Sequence, residues 1–528
     1  MSRPPWLLCG LSALSGLLLA AAFPPFDQAW LVWVALVPAL LGVHFAPAPE
    51  PFAWRSAVSW GLVPGWFLGL AYFGGTLWWI GNVTVLGTVL LVLYIALYPA
   101  LWLALARRIW PRGPMTAGRN LLVAAELASV WIGLEWVRGW LFTGFGWNGL
   151  GVALWHSPAF VQGARLGGVL LLSWVVAFVN VVAALTVVRF HRELRREQQI
   201  AARIDFYVAV LLVVLLFVYG TRRVFARHAE EPRIVRVALV QPNVPQSETR
   251  PFPPSEALER LVALTGTAAS LKPDLVVWPE SPVAVRALGD PEYGAALANL
   301  TAGADFSLLM GALDKVDGHY FNAAYLFPPH QGSLQVYAKN RLVPFGEYAP
   351  FADQFPPMRR LVPFDIDFTA GLHPRLFVTE NGGLRIAPLI CYEDTLADYA
   401  RQAARIDGGP DILVNITNDG WFFRSPGAAQ HLANALFRAT ELDRPLLRCG
   451  NTGISAAVDQ TGRVISKLES AGRDVCVAGV LTVEVPCYRP EETPWLRWGN
   501  WTVVLAALAV AGRGLAWGFA ARDARKKD

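Results

Sequence analysis

A chain of 528 residues that is 54% apolar and holds 22 tryptophans is too long for one ordinary domain and too apolar for a simply soluble one. The formal charge of +5 does not point to nucleic acid, because the basic residues gather in short loops between apolar blocks, where membrane orientation signals belong. The five cysteines form no CxxC pair and show no zinc-like histidine spacing, and no phosphate-cradling glycine motif is present, so neither a metal nor a nucleotide cofactor is expected.

A spanning helix needs about 20 mostly apolar residues. Seven such segments precede the polar middle of the chain, near 6–23, 29–46, 57–80, 84–106, 119–141, 164–188 and 206–221, and an eighth lies near 499–519. Trp30, Trp33, Trp54, Trp78, Trp79, Trp110 and Trp498 stand near segment ends, as an interfacial aromatic belt requires. Arg107, Arg108, Arg112 and Arg119 follow the fourth segment, and Arg189, Arg192, Arg195, Arg196 and Arg203 follow the sixth, whereas the loops after the first, third and fifth carry almost no positive charge. Even-numbered loops and both termini are therefore expected in the cytoplasm, and the middle domain on the opposite side. Arg222, Arg223 and Arg227 run against this scheme, but they open a long domain, where charge bias counts for less. A cleaved signal peptide is the other reading of the first segment; its loss would upset the charge alternation. The spans hold few ionisable residues beyond Glu126, Glu135, Arg138, Arg165 and Arg513, which disfavours a transporter. Glu135 and Arg138 are three apart on a helix, and either pair with each other or meet a lipid head group.

From about 233 to 485 the pattern changes to short β-branched runs: VRVALVQ, DLVVWPE, SLLMGAL, AAYLF, LQVYAK, LRIAPLICY, DILVNIT, ISAAVD and DVCVAGVLTVEV. Stretches 254–270, 291–303 and 426–442 read as helices. The expected organisation is thus a membrane domain at 1–232, a layered α/β catalytic domain at 233–485, and a last helix with a basic tail at 486–528.

Three chemically able residues end apolar strands in this domain. Glu280 closes LVVWPE, Lys339 lies in the polar exit of LQVYAKN, and Cys391 follows LRIAPLI and precedes an aromatic and two carboxylates. Alone, each has a bland reading as a solvated turn acid, a surface amine or a small buried hydrophobe. Together they form a coherent set, in which a carboxylate deprotonates a thiol nucleophile and an ammonium stabilises the oxyanion. Glu347 and Glu393 are then expected to hold the lysine and shape the pocket. His431 is either a rival base for Cys391 or a packed, hydrogen-bonded helix residue, and its apolar neighbours favour the second. Asn415 to Phe423 either lines the pocket or is a plain turn. Cys476 and Cys487 lie outside the membrane and are read as unpaired.

WPES around Glu280, KNRLVPFGEY around Lys339 and ICYED around Cys391 resemble the Glu-Lys-Cys site of the nitrilase, or carbon-nitrogen hydrolase, superfamily. With the eight apolar segments, LEWVRGWLFTGFGWN at 134–148 and VQPNVPQ at 240–246, the whole chain resembles the apolipoprotein N-acyltransferase family of the bacterial inner membrane. The resemblance implies an αββα sandwich carried by about eight spanning helices. It also implies acyl transfer from a phospholipid, through a thioester on Cys391, to the α-amino group of a diacylglyceryl-cysteine on an apolipoprotein. Glu280 would be the general base, Lys339 the oxyanion partner and Glu347 a supporting carboxylate, with Tyr392 and Glu393 completing the CYE motif; apart from the resemblance, Asn415 and Trp421 are read as lining the pocket. One departure is that Phe252 is the nearest aromatic after the NVPQ stretch, where the family has a tryptophan. An amidase acting on water through the same trio is the alternative. The phenylalanine-rich stretch 343–374, with Phe345, Tyr348, Phe351, Phe355, Phe364 and Phe368, is expected to be a lid at the lipid interface, opposed by Trp421, Phe422 and Phe423.

Overall fold

The structure, a computed structural model, describes residues 5–525 apart from 48–57, 114, 201, 247–251, 284–288, 362–366, 381 and 407. Trp54 and Phe364 lie outside the described residues. The chain divides into two compact units, one of Met1–Gly81, Val85–Arg222 and Trp498–Asp528, the other of Asn82–Thr84 and Arg223–Arg497.

In the first unit every expected apolar segment contains a helix. These are Pro5–Ala21, Val37–Phe45, Val63–Leu77, Val85–Ile95 continued by Leu97–Ile109, Ala117–Arg138, Ala164–Leu194, Ile204–His228 and Trp501–Arg525. Among the described residues four are long and apolar enough to cross a membrane: Val85–Ile109, Ala117–Arg138, Ala164–Leu194 and Ile204–His228. Trp6–Ala21, Ala29–Phe45 and Trp501–Gly514 are apolar but shorter, so the expected eight spans are not reached by length. Segment 29–46 shows one reason: a 3-10 turn at Ala29–Trp33 ends before Val37–Phe45, which opens with Pro38, a residue that lacks the N–H a continuous helix would use there.

Close packing in this unit rests on small residues. Gly61, Gly65 and Gly69 recur every fourth position and face Ala104, Ala100 and Ala96; a Cβ on Gly65 would sit 2.6 Å from the Ala100 Cα, and one on Gly69 2.5 Å from the Ala96 Cα. Backbones that approach this closely replace the hydrophobic drive that is missing between helices in lipid. Some charges in this unit are paired, as the buried Arg189 is with Glu193 at 3.2 Å and the exposed Arg513 with the largely buried Glu126 at 2.8 Å. Glu135 and Arg138 do not pair. Glu135 accepts from Trp131 Nε1, Ser173 Oγ and the Leu150 N–H, while Arg138 donates to the Trp147 carbonyl at 2.8 Å, so both staple the loop that follows their helix. Trp30, Trp78 and Trp498 are exposed as a belt requires, but Trp79 and Trp110 are buried, Trp110 donating to His44 Nδ1.

The second unit is built on two six-stranded sheets. The strands are β1 (Arg233–Gln241), β2 (Leu275–Val277), β3 (Ser307–Val316), β4 (His319–Phe327), β5 (Gln335–Ala338), β6 (Phe377–Val378), β7 (Arg385–Ile390), β8 (Ile412–Thr417), β9 (Leu446–Gly450), β10 (Ala456–Val458), β11 (Val464–Lys467) and β12 (Gly479–Cys487). One sheet runs β12-β1-β2-β3-β4-β5 and the other β11-β10-β9-β8-β7-β6. The centre of each is parallel, β1-β2-β3 in one and β7-β8-β9 in the other, with antiparallel edges. Alternation along each strand divides its side chains. Val235, Val237 and Leu239 join Val277, Ile386, Ile390, Val414 and Ile416 in the core between the sheets. Ala238 and Val240 face outward onto Leu261 and Leu297 of the helices Pro254–Ala269 and Pro291–Ala302. Helices Ala397–Ala404 and Gly427–Ala435 lie in the crossovers between the parallel strands of the second sheet.

Strands β6, β9 and β11 and the helix Ala397–Ala404 are absent from the sequence reading. β9 is the instructive omission, since Arg448 interrupts LLRCG with a charge, yet all five of its residues are buried. All five cysteines are free, including Cys476 and Cys487.

Candidate active site

The parallel strands aim their C-terminal ends at one edge of the sandwich, and the candidate residues sit just past those ends. Glu280 lies three residues beyond β2, where the chain keeps pairing through the Trp278 N–H to the Leu309 carbonyl. Its backbone rests directly on Gly311 of β3, where a Cβ would meet the Glu280 Cα at 2.7 Å and the Pro279 carbonyl oxygen at 2.8 Å. Lys339 follows β5 and is tied to β4 by its N–H to the Asn322 carbonyl at 2.8 Å. Cys391 follows β7 and opens the 3-10 turn Cys391–Thr395 at φ +52°, in the left-handed region where a side chain is seldom held without a reason. Asn415 of β8 donates to the Cys391 carbonyl at 2.9 Å and fixes that turn.

Lys339 is almost fully buried and bridges two carboxylates, with Nζ 2.9 Å from Glu347 Oε1 and 3.5 Å from Glu280 Oε1. Burial alone would lower the proton affinity of the amine, but Glu347, Glu280 and the nearby Cys391 outweigh it and hold the ammonium well above its ordinary range. Glu280 Oε1 also accepts from Asn322 Nδ2 at 2.7 Å, and its Oε2 from the Asn418 N–H at 2.8 Å. Burial, then the charge of Glu280, push the Cys391 thiol well above the usual range, with Lys339 and the Thr417 hydroxyl opposing. Cys391 therefore rests as a thiol, and to act as a nucleophile it would have to lose its proton as it attacks.

The structure brings Glu280, Lys339, Cys391 and Glu347 together in one polar cluster, and gives the neighbouring residues distinct places. Glu347 also accepts from the Val343 N–H at 2.7 Å, closing its own turn. Glu393 is wholly buried, where its Oε1 takes the N–H groups of Asn340 and Arg341, its Oε2 that of Ile390, and Tyr337 donates to both. It therefore laces the loop after Lys339 to the turn of Cys391. Burial pushes Glu393 up to about 7 against those donors and Lys339. Tyr392 is half-buried in the same turn. Asn415 is fully buried in its strand and acts on backbone rather than lining the pocket, and Trp421 is half-buried in the short turn Asp419–Phe422.

His431 does not face the thiol as a base. Its Nε2 lies 3.0 Å from Asp394 and its Nδ1 2.9 Å from Asp419, and Arg448 reaches the same two carboxylates at 2.6 and 2.8 Å. All four residues are buried, forming a knot of opposite charges beside the turn of Cys391 that sequence reading missed. Thr417 joins it to the thiol, donating to Asp419 Oδ1 at 3.1 Å. Asn322 was also missed. Phe252 packs on the outer face of the first sheet, 4.9 Å under the Arg260 guanidinium. In the stretch 343–374, Phe351, Phe355 and Leu372 are exposed. Among the described residues no group of His, Cys, Asp and Glu is arranged to hold a metal.

Two family models match the chain. The apolipoprotein N-acyltransferase N-terminal domain covers residues 15–182 and the carbon-nitrogen hydrolase domain residues 236–486. An apolipoprotein N-acyltransferase of Geobacter metallireducens is 34% identical over 86% of this chain and 85% of that protein. One of Azotobacter vinelandii is 31% identical over 100% and 97%. Among solved structures, an amidase from Nesterenkonia sp. is 19% identical over 51% of this chain and 94% of its own, with a TM-score of 0.37. On the identity and coverage of these full-length relatives, the chain belongs to the apolipoprotein N-acyltransferase family.

Proposed function

We propose that this protein moves an acyl chain from a membrane phospholipid to the α-amino group of the diacylglyceryl-cysteine that begins an apolipoprotein. Cys391 carries the chain between them as a thioester. The observation that carries this reading is the buried Lys339, which joins Glu280 and Glu347 beside a thiol held at a left-handed turn, in a chain of this family. In the first half-reaction Cys391 Sγ attacks the ester carbonyl carbon while Glu280 takes the thiol proton. Two of the three Lys339 protons are engaged by carboxylates, and the third meets the developing oxyanion. The Tyr392 N–H is the second donor to it. The C–O bond then breaks and Glu280 returns its proton to the lysophospholipid hydroxyl. In the second half-reaction the amine attacks the thioester, Glu280 takes an amine proton, the C–S bond breaks, and the proton returns to sulfur. Glu347 and Glu393 keep the ammonium and the nucleophile turn in place, as Asn415 does from β8. The exposed Phe351 and Phe355, opposed by Trp421 and Phe423, suit a lid that meets acyl chains at the interface.

The working division is a membrane domain at 1–232, a catalytic domain at 233–485 and an anchor at 486–528. The protein would sit in the bacterial inner membrane with the catalytic domain in the periplasm, as the charge of the loops requires. The test is to incubate purified protein with labelled phospholipid and weigh the Cys391 peptide. A hydroxylamine-labile acyl adduct that disappears when apolipoprotein is added is expected. An adduct on Cys449 instead, or full transfer by Cys391→Ala, would refute the assignment.

A further inference from the structure

Asn322 stands in β4 with 5% of its surface exposed. Its amide is shared between two carboxylates, as Nδ2 donates to Glu280 Oε1 at 2.7 Å and to Glu347 Oε1 at 2.9 Å. The other end of the amide, Oδ1, is buried and has no partner. Turning the amide over would set that oxygen against two carboxylates, so the two donated bonds hold the group in place although one acceptor stays unsatisfied. The consequence for Glu280 follows by counting lone pairs. Oε1 receives Asn322 and, more distantly, Lys339, and is fully engaged; Oε2 receives only the Asn418 N–H. The charged or titratable groups facing Glu280 are Lys339 beyond β5 and Cys391 beyond β7, with Glu347 held off by the shared amide and the shared ammonium.

We propose that Asn322 is a positioning residue for acyl transfer, fixing Oε1 of Glu280 so that the proton leaving Cys391 Sγ is received at Oε2. The S–H bond breaks and an O–H bond forms on Oε2 as sulfur attacks. This rests on Glu280 being the general base. Without the amide, Glu280 loses one of the two short hydrogen bonds its carboxylate accepts, and such bonds both orient a carboxylate and favour its charged form.

The experiment measures the rate of Cys391 acylation by phospholipid against pH in the full-length protein, for wild type, Asn322→Ala, the isosteric Asn322→Asp, and Glu280→Gln. Asn322→Ala should load about tenfold more slowly at pH 7, with the acid limb of the profile moved up by about one pH unit and the rate recovering toward wild type at higher pH. Asn322→Asp, which adds a third carboxylate, should move the limb further. A uniform loss at every pH with the limb unmoved would make Asn322 merely structural and overturn the inference, as would an unchanged profile or the failure of both variants to fold. Glu280→Gln separates the two layers. If it retains the wild-type profile, the base assignment falls; if it abolishes loading while both Asn322 variants keep the wild-type limb, only the positioning role falls.

Discussion

Gly311→Ala tests how tightly the sheet sets the position of Glu280, the proposed base. The added Cβ would lie 2.7 Å from the Glu280 Cα, 2.8 Å from the Pro279 carbonyl oxygen and 2.9 Å from Ile416 Cδ1. Comfortable carbon contacts begin near roughly 3.5 Å, so the Glu280 backbone must retreat by about 0.8 Å. Two of the three obstacles are backbone atoms, which cannot swing aside as a side-chain tip would. A displacement on the order of 1 Å at a reacting group costs about 10²-fold in rate, or about 2.7 kcal/mol of barrier. The crowding itself should destabilise the fold by about 1–3 kcal/mol, lowering Tm by roughly 2–4 °C per kcal/mol. The assay is single-turnover loading of Cys391 from phospholipid in micelles, followed by intact mass, beside a thermal melt. A folded Gly311→Ala protein that loads within about threefold of wild type would refute the claim that this contact places Glu280.

His431→Gln should be more destabilising in mild acid than in base. Burial and Arg448 pull the imidazole down, but Asp394 and Asp419 overcome them and leave it above its ordinary value. Its contribution is therefore fully present below about pH 6.5 and lost as pH rises through the folded value. Breaking a buried ion cluster costs about 3–5 kcal/mol, so the melt of the variant should fall by several degrees at pH 6 and by less at pH 9; an equal fall at both would sink the argument. Replacing Phe351 and Phe355 with serine should slow use of membrane phospholipid while leaving alkylation of Cys391 unchanged, and unchanged turnover would reduce the stretch to ordinary surface. Reporter fusions at Arg196 and Glu380 should report opposite sides of the membrane, and finding both on one side would overturn the topology.

The candidate trio was legible where its signal is local. Glu280, Lys339 and Cys391 each end an apolar run, and those runs are strands or lead out of them. What holds the trio was not legible, because it is made of contacts between distant strands. Arg448 broke the apolar pattern of β9, and nothing in LLRCG reveals that its charge is met by Asp394 and Asp419, which lie 54 and 29 residues away. Asn322 hid in a plain strand, since its role appears only when β4 lies beside the exits of β2 and β5. Asn415 was expected beside the pocket; alternation sets it on the face of β8 opposite Val414 and Ile416, where it donates to the Cys391 carbonyl. The helical segments were legible by composition, whereas their lengths depended on interruptions such as Pro38.

Glu280 and Lys339 hang from one sheet, and Cys391 from the other. A chain in which only one sheet has formed thus holds either an acid with an amine or an isolated thiol, and on the proposed mechanism neither can take an acyl group from a lipid. Competence arrives only when the two sheets close on their shared core of Val237, Val277, Ile390 and Val414. On that mechanism, folding of the sandwich is the safety catch of the enzyme: a nascent or damaged copy stays chemically silent toward the esters around it.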